Sequence, residues 1–383
     1  MGGVEITTLT TATFLDSQSF SAHVVCPERG DLVSRLEEAN IPVTIIRRPH
    51  FYSVSARVGK RLVPNPVASA ATAFATWRSS NRLVKFLKTN ADVVVTKGLL
   101  AHIYGGLAAS RAGVPCVWHV QEVANGESMG GLYVSLLNRL ALRWPRFVVV
   151  DAPAVGAQFV QELHARERVK MLYNGVDLKR FSADGPIAKL SFKASGSDSP
   201  IVIGHIGRIV PLKGQHVLLE AFASLCESRS SIHLVLAGTP MFDTDHYLRR
   251  LKRMVTEYHL EGRVHFLGFR DDVSDLLRSI DIFVHPSVEA DSPVSILEAM
   301  ATGKPIIATR VPGTSDLVAD GVEGHLVPPS DASALAEQIG FLLDSPTQCK
   351  RLAAAARTAA EQRFDQRLFV ASFEKLLTDA VTT

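Results

Sequence analysis

The chain has 383 residues, 46% of them hydrophobic and 21% charged, with a formal net charge of +3. That length exceeds one ordinary core and suits two domains, and the composition excludes a disordered or fibrous chain. No apolar run is long enough to span a bilayer and no secretory pattern opens the chain; the four cysteines, scattered in no metal spacing, read as reduced, mostly buried thiols, so a cytoplasmic protein is expected.

The chain starts MGGVEITTLTTATFL, a glycine turn at Gly2-Gly3 running straight into a helix. Such a turn ordinarily follows a strand, and a buried sheet without that strand would leave backbone groups unpaired, so the native start is expected upstream of Met1. Apolar, Val- and Ile-rich runs follow at 22–25, 43–46, 92–95, 114–118 and 147–150. Between them, 65–89 and 99–112 have helical spacing. Residues 182–200, SADGPIAKLSFKASGSDSP, have linker composition and no period. Strand-like runs resume at 201–206, 232–237, 263–267, 281–284, 305–308 and 325–327, alternating with helical segments at 215–227, 246–259 and 331–344. Continuous apolar strands alternating with helices predict doubly wound parallel sheets. The expected division is a domain at 1–180, a second at 181–365, and a last helix within 366–383 packing back on the first. Two such domains facing a central cleft would bind ligands at the carboxyl ends of their strands. Residues 1–177 hold 19 Lys and Arg against 13 Asp and Glu, so the basic surplus lies in the first half.

The strongest local signal is Gly204-His205-Ile206-Gly207-Arg208-Ile209-Val210-Pro211-Leu212-Lys213-Gly214, between a strand and a helix. Glycines such as Gly207 keep the backbone slim, Arg208 and Lys213 supply two cations, and the next helix start adds free amides and positive potential. Together they suit a diphosphate, although a solvent-facing βα turn with incidental basic residues gives the same string. No Walker loop is present.

A second strand-to-helix segment reads His285-Pro286-Ser287-Val288-Glu289-Ala290-Asp291-Ser292-Pro293-Val294-Ser295-Ile296-Leu297-Glu298-Ala299-Met300. Ser292 is expected to cap the helix, with Pro293 first inside it and the amides of Val294 and Ser295 free for a ligand. Glu298, flanked by Ile296, Leu297 and Met300, borders the core, where an unpaired carboxylate is costly. It suits a pair of ribose hydroxyls, and Glu289 or Asp291 suits sugar hydroxyls.

The sequence resembles the family-4 retaining glycosyltransferases, which have the GT-B fold. The resemblance is carried nearly end to end by GGVE at 2–5, NGVD at 174–177, GRIVPLKG at 207–214, LGFRDDV at 267–273, SVEADSPVSILEAMATGKPIIAT at 287–309, RVPGTSDLV and GVEGHLVPP. It implies that Arg208 and Lys213 bind the donor diphosphate, that Glu298 binds the donor ribose, and that Phe269 and Arg270 border the nucleobase. It also places Gly2-Gly3 near the phosphates. The family often has Glu-x7-Glu before the helix; here Glu289 and Glu298 give Glu-x8-Glu, so either Glu289 or Asp291 takes the first position, and Glu289 is preferred. In the first half, Val114 to Glu122 end an apolar strand in a polar cluster. A lone strand histidine is usually a core residue, but the resemblance implies that His119 orients the transferred sugar, with Gln121 and Glu122 on the acceptor side. Lys97 is a second acceptor-side candidate, and a plain surface lysine would look the same.

Asp243-Thr244-Asp245 imitates a metal-binding DxD motif, but it precedes a helix, so capping explains it better. The resemblance implies neither metal nor resident cofactor, the nucleotide sugar being a co-substrate. The basic stripe Arg57, Lys60, Arg61, Arg78, Arg82, Lys85, Lys88 would touch anionic lipid at the inner membrane face, or form the wet face of two helices. The expected reaction is retaining transfer of a hexose from a nucleoside diphosphate sugar to a hydroxyl of a glycan, lipid-linked or small-molecule acceptor. The alternatives are a sugar-nucleotide epimerase and an inactive nucleotide-sugar-binding subunit. No nucleic-acid partner is expected.

Overall fold

The structure, a computed structural model, describes residues 3–47, 55–58, 61–64, 66–121, 139–141, 143–160, 166–190, 192, 200–241, 244–291 and 293–382. Gly2, Lys60, Glu122, Asp243 and Ser292 lie outside these. The chain divides into two compact units, one of Met1–Tyr173 with Phe369–Thr383 and one of Asn174–Leu368.

In the first unit the helix Gly3–Phe14 precedes a parallel pair, β1 (Val24–Cys26) with β2 (Val43–Ile45). An antiparallel hairpin, β3 (Ser55–Val58) with β4 (Arg61–Pro64), leads into the helix Pro66–Asn90. Then β5 (Val94–Lys97), β6 (Cys116–Val120), β7 (Phe147–Val150) and β8 (Val169–Met171) form a parallel sheet in that order. The middle strands are apolar throughout because both faces are covered. Trp118, Val148 and Val150 pack on one side, while Val117 and Val149 meet Phe369, Val370, Phe373 and Leu377 of the final helix, Gln366–Thr382, on the other.

The second unit has one six-stranded parallel sheet. Its strands are β9 (Ile201–Ile206), β10 (Ile232–Ala237), β11 (Val264–Gly268), β12 (Ile282–His285), β13 (Ile306–Thr309) and β14 (Gly324–Val327), in spatial order β11-β10-β9-β12-β13-β14. The chain builds outward from β9 in one direction, then returns to its other side at β12. This reversal makes a crevice at the carboxyl ends of β9 and β12, where open α/β sheets bind ligands. Phe222 of the helix Gln215–Cys226 and Phe283 of β12 are fully buried; each such side chain stabilises the fold by roughly 1.5–3 kcal/mol.

Each of the eleven strand-like runs of the sequence overlaps a strand. Among the described residues, three strands escape the reading. β8 is short and mixed in polarity, and β3 and β4 place Arg57 and Arg61 on a hairpin, not on the helix expected there. The domain boundary at 180/181 also needs correction. Val176 donates to the Phe364 carbonyl and accepts from the Gln366 amide, which ties the NGVD segment into the second unit. The first half of the linker-like segment is likewise tied down: Ala188 and Leu190 are buried, the Ala188 amide donates to the Asp275 carbonyl, and Arg278 donates to Pro186 and Ser182 carbonyls. These small and polar residues form a mostly exposed loop, as their composition suggests, held to the second unit by Arg278.

Candidate donor site and the strand ends around it

β9 ends in the loop Gly207–Val210, followed by a single 3-10 turn, Pro211–Lys213, and by Gly214, which starts the helix Gln215–Cys226. Gly214 has φ +66°, and a Cβ there would stand 1.9 Å from the Pro286 carbonyl oxygen. Only glycine lets this loop meet the one leaving β12, and the two are joined where the Val288 amide donates to the Leu212 carbonyl at 2.9 Å. The Arg208 backbone is fixed from behind by Gln215, whose Nε2 donates to its carbonyl at 2.7 Å. Gln215 in turn lies 3.3 Å from His205 Nε2, and His205 Nδ1 lies 3.0 Å from the Val284 carbonyl. Burial, helped by nearby His285, lowers His205 to about 3, so the ring is neutral; the carbonyl only accepts, so Nδ1 carries the proton.

Lys213 points inward. It is buried and forms an ion pair with Asp291, while the Arg208 guanidinium is near enough to oppose its charge. Burial lowers the Lys213 pKa against the pull of Asp291. The same Asp291 oxygen lies 2.8 Å from His285 Nε2 and accepts from Ser287 Oγ at 2.8 Å. Burial opposes charge on Asp291, but Lys213 and His285 outweigh it and hold the carboxyl well below the usual range. The sequence reading preferred Glu289 over Asp291. The structure places Glu289 at the exposed surface and Asp291 in this cluster.

The helix Val294–Ala301 begins after Pro293, so Pro293 is the residue before the helix and not the first within it. The amides of Val294 and Ser295 fall in its first turn, where no intrahelical acceptor exists. One turn further in, Glu298 is partly buried; burial pushes its carboxyl up to about 7, with Arg180 opposing. Phe269 is half-exposed just beyond β11. The Arg270 side chain is committed to Asp272, at 2.7 Å from Nε, which leaves its backbone for any nucleobase. Thus Gly207, Arg208, Lys213, Phe269, Arg270, Val294, Ser295 and Glu298 all stand at the carboxyl edge of one sheet or on the helix beside it.

In the first unit, Lys97, Gln121 and Asp151 end or follow β5, β6 and β7, three adjacent strands. Lys97 is no surface lysine: its ammonium donates to the Thr7 carbonyl at 2.9 Å and to Thr11 Oγ1 at 3.0 Å. Burial lowers it to about 7, with Asp151 opposing. Thr7 Oγ1 donates to Gln121 Oε1 at 2.8 Å, and Gln121 Nε2 reaches Asp151 at 3.5 Å. Gly3 opens the first helix, and a Cβ there would meet nothing. His119 requires correction. It is fully buried under the final helix, with ring centroids 5.8 Å from Phe373 and 6.2 Å from Phe369, and among the described residues neither ring nitrogen has a hydrogen-bond partner. Burial holds it well below its ordinary pKa, so it is a neutral ring; it stands level with Lys97 one residue before the end of β6, but is covered from solvent. Sequence reasoning missed Asp151, although it follows the apolar run 147–150 directly, closer than Lys97 stands to the run 92–95.

Among the described residues no group of three or more His, Cys, Asp or Glu is placed to hold a metal, and all four cysteines are free. Thr244 sits just before the helix Asp245–Glu257, its Oγ1 donating to the Ile209 carbonyl at 2.9 Å.

Two Rossmann-like units, with a cationic strand-to-helix loop at the switch point of the second, define a nucleotide-sugar-dependent glycosyltransferase of the GT-B fold. Residues 1–180 match the family model described as Glycosyltransferase Family 4, and residues 188–359 match Glycosyl transferases group 1. The chain belongs to this family of glycosyltransferases. Among its relatives is the UDP-Gal:alpha-D-GlcNAc-diphosphoundecaprenol alpha-1,3-galactosyltransferase of Escherichia coli, 26% identical over 86% of this chain and 82% of that protein. The D-inositol 3-phosphate glycosyltransferase of Corynebacterium urealyticum is 32% identical over 52% of this chain and 49% of its own length. The solved structure of Anabaena HepE in complex with UDP-glucose superposes with a TM-score of 0.81 at 26% identity, covering 99% of this chain and 96% of that one.

Proposed function

We propose that the protein transfers a hexose from a UDP-hexose to an acceptor hydroxyl with retention of anomeric configuration. The observation that carries this reading is the pairing of Arg208 and Lys213 on one loop at the β9–β12 crevice. The complex of HepE with UDP-glucose supports uracil as the base and a hexose as the cargo. In this reading the two cations and the first-turn amides of Val294 and Ser295 hold the diphosphate, Glu298 takes the ribose hydroxyls, and the backbone beside Phe269 and Arg270 meets the base. Glu289, exposed on its loop, is available to a sugar hydroxyl.

No side chain is proposed as a nucleophile. The acceptor hydroxyl attacks the anomeric carbon on the face the diphosphate leaves, and the departing phosphate oxygen takes the acceptor proton. The protein's work is then to stabilise charge building on that phosphate, which fixed cations and amides do without reorganising. The reaction needs no metal or resident cofactor on this reading.

The acceptor side is assigned to the carboxyl edge of β5–β7, with Gln121 and Glu122 as candidates, and to a glycan or lipid-linked acceptor, as the diphosphoundecaprenol of the E. coli relative suggests. Among the described residues no helix is long and apolar enough to cross a membrane. Peripheral contact is proposed instead, at the cytoplasmic face, through the helix Pro66–Asn90, where Val67, Phe74 and Trp77 are exposed ahead of exposed Arg78, Arg82 and Lys85.

The test is donor turnover. Wild-type protein incubated with UDP-glucose, UDP-galactose and GDP-mannose is expected to release UDP from a UDP-hexose, slowly with water and faster with acceptor. Arg208→Ala is expected to lower kcat by about 10²–10³. Undiminished turnover in that variant would remove the mechanism.

A further inference from the structure

We propose that Asp291 is a positioning residue: it holds Lys213 charged and aimed for the donor diphosphate, and is not itself a ligand of the transferred sugar. The inference rests on the reading of Lys213 as a diphosphate ligand.

A lysine ammonium this buried, with a guanidinium nearby, is unstable unless an anion accompanies it. It would shed its proton or swing out to water, and either escape would empty the site of half its positive charge. Asp291 is the anion that prevents both. One carboxylate oxygen takes all three donors, the Lys213 ammonium, His285 Nε2 at 2.8 Å and Ser287 Oγ at 2.8 Å. That oxygen, Oδ2, so occupied has little left to offer a sugar hydroxyl; any contact of Asp291 with the sugar would fall to Oδ1, which the comparison of UDP with UDP-glucose tests.

The donors are themselves held. His285 is the last residue of β12 and is fully buried; burial lowers its pKa, so the ring is neutral and donates from Nε2. Ser287 is buried too, and its carbonyl accepts from Thr309 Oγ1 at the end of β13. The Asp291 backbone is fixed where its amide donates to the Pro312 carbonyl at 3.0 Å. The carboxylate is therefore referenced to two strand ends, and through it the flexible lysine stem acquires a fixed address. When a diphosphate draws the ammonium toward itself, His285 and Ser287 keep Asp291 paired, so that the exchange strands no buried charge.

Binding of UDP, UDP-glucose and uridine to wild type, Asp291→Asn and Ser287→Ala separates the possibilities, with calorimetry for the nucleotides and ligand-observed NMR for uridine. Asp291→Asn keeps the shape and removes the charge. It is expected to weaken UDP and UDP-glucose by the same factor, about tenfold or more, and to leave uridine unchanged. Ser287→Ala, which removes one of the three donors, is expected to show the same pattern at about threefold, and it serves if Asp291→Asn does not fold. Loss of UDP-glucose affinity alone would make Asp291 a sugar ligand and overturn the inference. So would tighter UDP binding, which would make the carboxylate a competitor of the diphosphate, or equal loss of uridine, which would mean the site had collapsed. Wild type that binds neither UDP nor UDP-glucose would instead refute the proposed function beneath it.

Discussion

In the proposed function, Glu298 trades stability for binding. Its carboxyl is raised from an ordinary 4.5 to about 7 in the folded protein, chiefly by burial. The sign follows from linkage: between pH 4.5 and 7 the folded state binds the proton more tightly than the unfolded state, so stability falls as pH rises through that window. Ribose hydroxyls donate to the charged form, so nucleotide affinity should move the other way, strengthening from pH 6 to 8. Glu298→Gln is therefore expected to raise the thermal midpoint at pH 8 while weakening UDP binding, measured by a melt and a titration on the same sample. A drop in both would show that the carboxylate is paired in the free protein. At this scale the sequence was a good guide to residue type and a poor guide to direction. That Arg208 and Lys213 share one strand-to-helix loop and that Glu298 lies one turn inside a helix was legible from the sequence, while the roles given to them came from the family resemblance. That Lys213 turns inward to Asp291, and that His119 lies under an aromatic lid, depends on neighbours distant in sequence.

At the scale of elements, strand and helix identity followed from hydrophobic period, because a parallel strand covered on both faces must be apolar along its whole length. β8 and the β3–β4 hairpin escaped for the complementary reason: short strands with mixed polarity lack that signal. The helix Pro66–Asn90 is the element whose surface asks for a partner. Phe74 is 61% exposed and Trp77 50%, and positions 67, 74 and 77 are spaced i, i+7 and i+10, so these side chains share one face. Exposed Arg78, Arg82, Lys85 and Lys88 continue along the helix. Sedimentation with vesicles containing phosphatidylglycerol is expected to carry the protein down, and neutral vesicles to leave it in solution. Phe74→Ser with Trp77→Ser should cut the bound fraction several-fold at unchanged thermal midpoint. Equal binding to neutral vesicles would count against the charged half of this face.

At the scale of the whole molecule, chain order and unit membership part company. The last helix belongs to the first unit, where Phe369, Phe373 and Leu377 cover Val117 and Val149. Phe373→Ala is expected to cost about 3–5 kcal/mol, and the loss should be confined to the first unit. Hydrogen exchange checks this: amides of β6 and β7 should lose protection while those of β9 and β12 keep theirs. A uniform loss would mean that the two units unfold together. The sequence by itself determined the αβ alternation, the two-unit plan and the loop that carries the cations, because period, turn chemistry and charge are local properties of a chain. Only the tertiary structure decided that residues 174–180 join the second unit, that Asp291 and not Glu289 meets Lys213, and that Asp151 stands beside Gln121, because each of these depends on which segments the fold brings side by side.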